Sequence, residues 1–328
     1  MDDPTRFFLQ LLPLVALAEV LGMMTPIELV TLAKSSCRTK TLVSTLTKTR
    51  IQTTYEVLMV IDKNLYICLK QGNLSYIFKI TSNKKGDGQL KYTKYDCAHT
   101  YMFSRYSDNL VGLFRKIVEF VMNIFNLDIR ELYYWLDASC SENATIINWI
   151  ASLQPSIHTA AIFGKNVQQN DVSYLLDTIK ITNRLKIYTE SSEKTALRIP
   201  KGLDYVRVGN GEWVLLEHLL RFEVADVKLD HNSLTTKDLS KFLESWMHLQ
   251  TYHNLQSFKA LIKDQNAFNE LIDGIAHTEI DAEENLNLPK NQVLADGPVK
   301  IERSDGLKAV VYTYMHDGDM IWSVRITK

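Results

Sequence analysis

Apolar residues recur at helical spacing near the start of this chain and at alternating spacing soon after. Leu17, Val20, Leu21 and Met24 fall on one stripe of a helix. Thr25 is placed to cap a second helix with Pro26 at its first position, where a missing N–H costs nothing. Leu29, Leu32, Leu42 and Val43 continue the apolar pattern. The period then drops to two. Val57, Met59 and Ile61 open a run of short strands, followed by Leu65, Ile67 and Leu69, by Leu74, Tyr76, Phe78 and Ile80, and by Leu90 to Tyr95. Turn chemistry separates them at Asp62-Lys63-Asn64, Gln71-Gly72-Asn73 and Asn83 to Gly88. Residues 53–103 therefore predict an antiparallel β meander with one covered face. Leu110, Leu113, Phe114, Ile117, Val118, Val121 and Phe125 predict a helix after it, with Asp108 as its cap.

From there strand-like and helical pieces alternate. Ile129 to Leu136 precedes Asn143 to Leu153, Thr159 to Phe163 precedes Asn170 to Ile179, and Leu203 to Val208 precedes Trp213 to Leu220. Val227 to Leu229 leads to Lys237 to Met247, and Leu255 to Ile262 to Asn266 to Ile272. Helical returns between strands imply a parallel sheet. A weak repeat lies within: Ile162, Val167, Asp171, Val172, Leu175 and Leu176 match Leu229, Leu234, Asp238, Leu239, Phe242 and Leu243 at a constant offset. Val206, Leu216, Leu219 and Leu220 make a shorter third copy. A strand, a polar turn and a helix in roughly 20–29 residues is the dimension of a leucine-rich repeat, whose units stack to bury a shared core. A plain α/β sandwich is the other reading. Antiparallel signals return at Val299 to Arg303, Leu307 to Tyr314 and Ile321 to Ile326, around Ser304-Asp305-Gly306 and Asp317-Gly318 turns. The fold class is mixed α/β: a helical module over 5–50, a meander over 53–103, and a leucine-rich-repeat-like α/β domain over 104–328 with a β cap at about 298–328.

Composition narrows the classes. The chain has 328 residues, 46% hydrophobic and 23% charged, which suits one large or two ordinary globular domains. A net charge of −1 removes bulk attraction to nucleic acid or anionic lipid and leaves room for a local basic patch. Cys37, Cys68, Cys97 and Cys140 are scattered without a C-x-x-C pair, which points to free thiols in a reducing compartment. A secretory reading competes: Phe7 to Ala18 is apolar, Ala16-Leu17-Ala18 imitates a cleavage site, and Asn73-Leu74-Ser75 and Asn143-Ala144-Thr145 would be glycosylation sequons. Against it stand Asp2 and Asp3 where a basic start is wanted, and Gln10 and Pro13 within the apolar run. The run also falls short of the about 20 residues a membrane span needs.

Candidate chemistry is sparse. Gly209-Asn210-Gly211 lacks the Lys-Ser/Thr of a phosphate loop and reads as a turn. His248 and His253 miss the i, i+4 spacing of a zinc helix, and Cys97 with His99 has no second ligand pair nearby. Asp230-His231-Asn232-Ser233 is a turn, since triad members are brought together by geometry rather than adjacency. Tyr133-Tyr134-Trp135 could stack on bases or peptide, although packing in a strand is the plainer reading. Asp281 to Asn287 reads as a solvated acidic loop. No catalytic residue, metal ligand or cofactor is nominated.

Leu12 to Leu29, as L-P-x-x-x-L-x-x-V-L-x-x-M-x-P-x-E-L, resembles the F-box, most of all the nematode version that continues in a Ser/Arg/Lys segment, here Ser36-Cys37-Arg38-Thr39-Lys40. Cys37 departs from it, standing where a basic residue is usual. Asn143 to Ile150, Ile162-Phe163-Gly164, Asp171 to Leu176, Trp213 to Leu220, Leu234 to Leu239 and Ile301 to Ala309 resemble the type 2 F-box-associated domain of the same proteins. The resemblance implies an intracellular adaptor, cytoplasmic or nuclear, acting as substrate receptor of a Skp-cullin-F-box ubiquitin ligase. Leu12, Pro13, Leu17, Val20, Leu21, Met24, Pro26, Leu29 and Leu32 would meet the Skp adaptor, and through it a cullin scaffold. So many apolar residues in so short a segment suit burial by a partner. A target protein, rather than nucleic acid or membrane, would lie on polar strand positions: Lys186, Tyr188, Arg207, Lys228, Asp230 and Lys259. A secreted leucine-rich-repeat-like binding protein and an α/β enzyme are the alternatives. A mature N-terminus lacking Phe7 to Ala18 would favour the first, and turnover by the purified chain the second.

Overall fold

The structure, a computed structural model, describes residues 12–49, 54–138, 141–165, 167–190, 197–263, 265–280, 293–294, 298–316 and 318–327. The start of the N-terminal apolar run, Cys140, the acidic segment 281–287 and Asp317 lie outside the described residues. The chain divides into two compact units, Met1–Tyr133 and Tyr134–Lys328.

The first unit opens with α1 (Leu14–Gly22), α2 (Pro26–Lys34) and α3 (Cys37–Thr49). Thr25 caps α2 reciprocally. Its Oγ1 accepts from the Glu28 N–H at 3.3 Å, and Glu28 Oε2 accepts from the Thr25 N–H at 2.7 Å. Strands β1 (Glu56–Ile61), β2 (Tyr66–Gln71), β3 (Leu74–Thr81), β4 (Leu90–Tyr95) and β5 (Ala98–Tyr106) follow, then α4 (Leu110–Phe125) and β6 (Ile129–Trp135), whose Tyr134 and Trp135 already belong to the second unit. The sheet runs β6-β1-β2-β3-β5-β4. This corrects the simple meander: β5 is an additional strand, and it pairs with β3 in parallel. The cause is composition. Every residue of β4 is exposed, with Lys91 and Lys94 along it, so β4 is the edge strand and the more apolar β5 sits inside.

Helix α4 buries Phe114, Ile117, Val118, Val121, Ile124 and Phe125. Asn109, not Asp108, caps it, accepting from the Gly112 N–H at 2.7 Å, while Asp108 accepts from the Tyr106 hydroxyl. The sequence reading grouped this helix with the C-terminal domain. Here it holds α3: Ser44 Oγ and Thr47 Oγ1 donate to the carbonyls of Asn123 and Ile124 at 3.3 and 2.5 Å. The ammonium groups of Lys34 and Lys40 lie 5.6 and 5.2 Å from the centre of the Phe120 ring.

The second unit contains α5 (Asn143–Leu153), β7 (Ser156–Gly164), α6 (Gln169–Thr178), β8 (Lys180–Thr189), β9 (Tyr205–Val208), α7 (Leu216–Leu219), β10 (Asp226–Leu229), α8 (Thr236–Met247), β11 (Ser257–Leu261) and α9 (Gln265–Ile272). β12 (Thr278–Glu279), β13 (Val293–Leu294), β14 (Val299–Glu302), β15 (Lys308–His316) and β16 (Asp319–Thr327) complete it. Strands β7 to β11 are parallel neighbours in chain order. β16 then pairs antiparallel with β11 and leads to β15, β14 and β12, so the C-terminal hairpins close the β11 end of the stack. Among the repeated apolar positions, Ile162 and Leu229 are buried in β7 and β10, and Val172, Leu175, Leu239 and Phe242 on α6 and α8. β8 is a full strand that the alternating pattern passed over, and α7 is shorter than Trp213 to Leu220 suggested.

Side-chain alternation sorts the two faces of this sheet. Phe258 and Trp322 lie 4.5 and 6.5 Å from Phe242 of α8, so odd and even positions of β11 and β16 divide between the helical face and the other. On that other face Ile280, Val310, Tyr312, Tyr314 and Ile321 form a small second core over the C-terminal hairpins. The same face over β7 to β10 carries half-buried polar and aromatic side chains.

Candidate functional site

Two surfaces stand out. The first is on α1. Leu17, Leu21, Pro26 and Leu29 are buried within the first unit, Leu12, Val20, Met24 and Leu32 are half-buried, and Pro13 is exposed. The physical reason is general: a helix turns its periodic apolar stripe to its own core. Of the apolar side chains left in solvent, Val15 and Met23 lie off that stripe, while Leu14 lines up with Leu17 and Leu21 but is the first residue of the helix. Leu14 is 51% exposed, Val15 61% and Met23 87%, at the two ends of α1. None of these three is among the residues expected from the sequence pattern to meet an adaptor.

The second surface is the face of the parallel sheet away from the helices. Strand register aligns Lys186 of β8 with Arg207 of β9, Arg207 with Lys228 of β10, and Lys228 with Lys259 of β11. Four cations thus form one row across four neighbouring strands. Asp230 relieves the middle of it: Arg207 Nε donates to its carboxylate at 2.6 Å, and Lys228 Nζ lies 3.3 Å away. Burial acts to lower the Arg207 pKa, and the bonded Asp230 more than reverses this, so the guanidinium stands above its ordinary value. Burial lowers that of Lys259, with Lys228 and Arg325 adding to it.

An aromatic column adjoins the row. Trp135 stacks on Phe163 at 4.1 Å between centroids, Phe163 on Tyr188 at 5.1 Å, and the Arg207 guanidinium lies 5.4 Å from the Tyr188 ring. Gly209 makes the column possible, because a Cβ there would run into the Tyr188 ring. Alternation splits the Tyr133-Tyr134-Trp135 run. Tyr134 points into the core and its hydroxyl donates to Asn143 Oδ1 at 2.9 Å, while Trp135 joins the column. The predicted strand positions Lys186, Tyr188, Arg207, Lys228, Asp230 and Lys259 therefore share one face. Phe163 and Gly209 belong with them and carry no such expectation from the sequence; Trp135 also belongs, and the sequence offers it as a possible stacking residue and more plainly as strand packing. Their signal was the parity of the strands once β8 is recognised.

Residues 9–50 match the family model described as F-box domain, and residues 195–260 the one described as F-box associated. The chain carries an F-box and, after it, an F-box-associated segment. No curated protein and no solved structure matches it. Helices α1 to α3 make up the described part of the F-box, and the F-box-associated match runs through β9, α7, β10 and α8 into β11. That match takes in Arg207, Lys228, Asp230 and Lys259 and leaves Lys186 and Tyr188 before it. It is narrower than the 104–328 expected, and neither match bears on a nematode source.

The remaining candidates resolve as structure. Asn232 Oδ1 accepts from the Leu234 N–H at 3.1 Å and Ser233 Oγ donates to the Glu212 carbonyl at 2.8 Å, so this turn is tied up locally. His99 Nδ1 is 2.8 Å from the Tyr92 hydroxyl, and His248 Nδ1 2.7 Å from the Glu244 carbonyl. Asn143 is buried. Its amide donates to the Leu136 carbonyl at 3.0 Å and to Asp171 at 2.8 Å, so the folded chain offers no glycosylation acceptor there. Among the described residues no helix is long and apolar enough to cross a membrane.

Proposed function

We propose that this protein is the substrate-recognition subunit of a Skp-cullin-F-box ubiquitin ligase, docking the Skp adaptor through its F-box and a target protein through the leucine-rich-repeat-like second unit. The observation that carries the reading is the order of the two matched modules, F-box then F-box-associated segment, in one chain. Exposed Leu14, Val15 and Met23 on the F-box support it as the apolar surface a partner would cover. Ubiquitin transfer would belong to other subunits, with this chain supplying proximity. A cytoplasmic or nuclear setting fits, and buried Asn143 weighs against the secreted alternative, as does a nominal cleavage after Ala18 that would cut through α1.

The test follows from burial. Leu21 is 0% exposed, so Leu21→Asp would unfold the F-box and lose the adaptor for the wrong reason. Val15→Asp with Met23→Asp changes only exposed side chains. That variant should keep the wild-type melting temperature and fail to co-purify the Skp adaptor from cells. Adaptor recovered at wild-type level with the double variant would reject docking through α1.

A further inference from the structure

We propose that the sheet face of the second unit takes an extended acidic segment of a partner protein, with an aromatic or large apolar residue seated on the Trp135–Phe163–Tyr188 column and carboxylates along the Lys186–Arg207–Lys228–Lys259 row. This rests on the receptor reading above and adds the chemistry of the target. Like charges directly opposite on neighbouring strands are unfavourable, yet register places four in succession. Asp230 pairs with Arg207 and Lys228 only; among the described residues Lys186 and Lys259 have no carboxylate partner. Burial first, then the neighbouring Lys228 and Arg325, lower the Lys259 pKa, with Asp226 partly opposing them. A chain whose net charge is −1 has concentrated uncompensated positive charge on one face, and an anionic partner relieves it.

Dimensions suit a peptide. Strands lie about 4.8 Å apart, so β7 to β11 spans about 19 Å, the reach of about six extended residues at about 3.3 Å each. Bases of single-stranded nucleic acid fit less well. They recognise a sheet by stacking on open ring faces, and here the faces of Phe163 are already covered by Trp135 and Tyr188. The column offers ring edges, which receive a side chain rather than a base.

Fluorescence anisotropy with the full chain tests this. The probe is a labelled peptide of about eight residues, Phe followed by Gly and Ser and then several Glu, long enough to cover the face. Controls replace Glu by Lys or Phe by Ala, and a thymidine oligonucleotide of equal length serves as the nucleic-acid arm. The acidic peptide should bind at least about tenfold tighter than either peptide control, with affinity falling as salt rises. Lys186→Glu with Lys259→Glu should weaken it by about tenfold or more. If that variant does not fold, Lys186→Gln with Lys259→Gln removes the charges alone and should weaken binding in the same direction. Equal binding of acidic and basic peptides, tighter binding of the oligonucleotide, or indifference of the peptide to both lysine variants overturns the proposal. Target capture from cells separates the two readings. Loss of capture in the lysine variants without acidic-peptide binding would keep the receptor and reject the acidic chemistry.

Discussion

At the scale of single residues, the open sheet face depends on a missing side chain. Gly209 has no unusual backbone angle; what it lacks is the Cβ that would strike the Tyr188 ring. That ring cannot swing away cheaply, being held between Phe163 and the Arg207 guanidinium. Gly209→Ala should therefore displace Tyr188 and cost about 1–3 kcal/mol, the usual range for overpacking. Near-ultraviolet circular dichroism should lose intensity from the stacked rings, and Tyr188→Ala placed with Gly209→Ala should recover most of the stability. If Gly209→Ala melts with the wild type and leaves that spectrum unchanged, the close approach is not as described. The same scale explains why reversing Arg207 is a poor probe of binding: it would set a carboxylate against Asp230, 2.6 Å from the lost nitrogen, and confound recognition with repulsion. Lys186 and Lys259 carry no such bond.

Elements were legible where local chemistry and period agreed. Helix α8 is one case. Thr235 Oγ1 accepts from the Asp238 N–H at 3.2 Å, and Asp238 Oδ2 accepts from the Thr235 N–H at 3.0 Å, closing a capping box. Thr235→Ala should lower stability by about 1 kcal/mol, read as a shifted urea midpoint with unchanged slope; a variant as stable as wild type would mean the box contributes nothing. The parallel run was readable for the same reason, since Ile162, Val206 and Leu229 recur before helices with the same apolar steps. What failed were decisions made between elements. β5 and β4 look alike by alternation, and only competition for the interior put exposed β4 at the edge. β8, Lys180–Thr189, is separated from α6 by one residue and is followed by another strand rather than a helix, so the strand–helix alternation passed from Ile179 to Leu203 without assigning it. On α1 the apolar stripe foretold a buried face: Leu17 and Leu21 went inward, while Leu14, Val15 and Met23 stay exposed at the helix ends. For the sheet face, the pattern found Lys186, Arg207, Lys228 and Lys259 individually. Their alignment in one row is a property of register, which no single strand contains.

At the scale of the whole molecule, titration is distributed through both compact units. Burial raises Tyr55, Tyr66 and Tyr76 in the first unit and Tyr188, Tyr205 and Tyr252 in the second, and pushes Tyr314 up to about 12. Tyr252 is buried, and its hydroxyl donates to the Leu219 carbonyl at 2.8 Å. A phenol held neutral in the fold but ionising near 10 when unfolded makes the folded state bind more protons above that pH. Its contribution is fully present below about pH 10 and is lost as pH climbs through the raised folded value. Lys34 and Lys259 act oppositely. Burial, with neighbouring cations, lowers both, so the folded state holds fewer of their protons and stability from them rises towards about pH 10.5. The tyrosines outnumber the lysines, and the lysine gain is complete once unfolded lysine has itself deprotonated. Thermal stability should accordingly change little near neutrality and fall steeply above about pH 10. Tyrosinate absorbance gives the decisive measurement. Much of it should appear together with the loss of far-ultraviolet ellipticity, and Tyr314→Phe should shift the alkaline transition to higher pH. Should these phenols ionise near pH 10 while the fold is intact, burial would not be what holds them neutral.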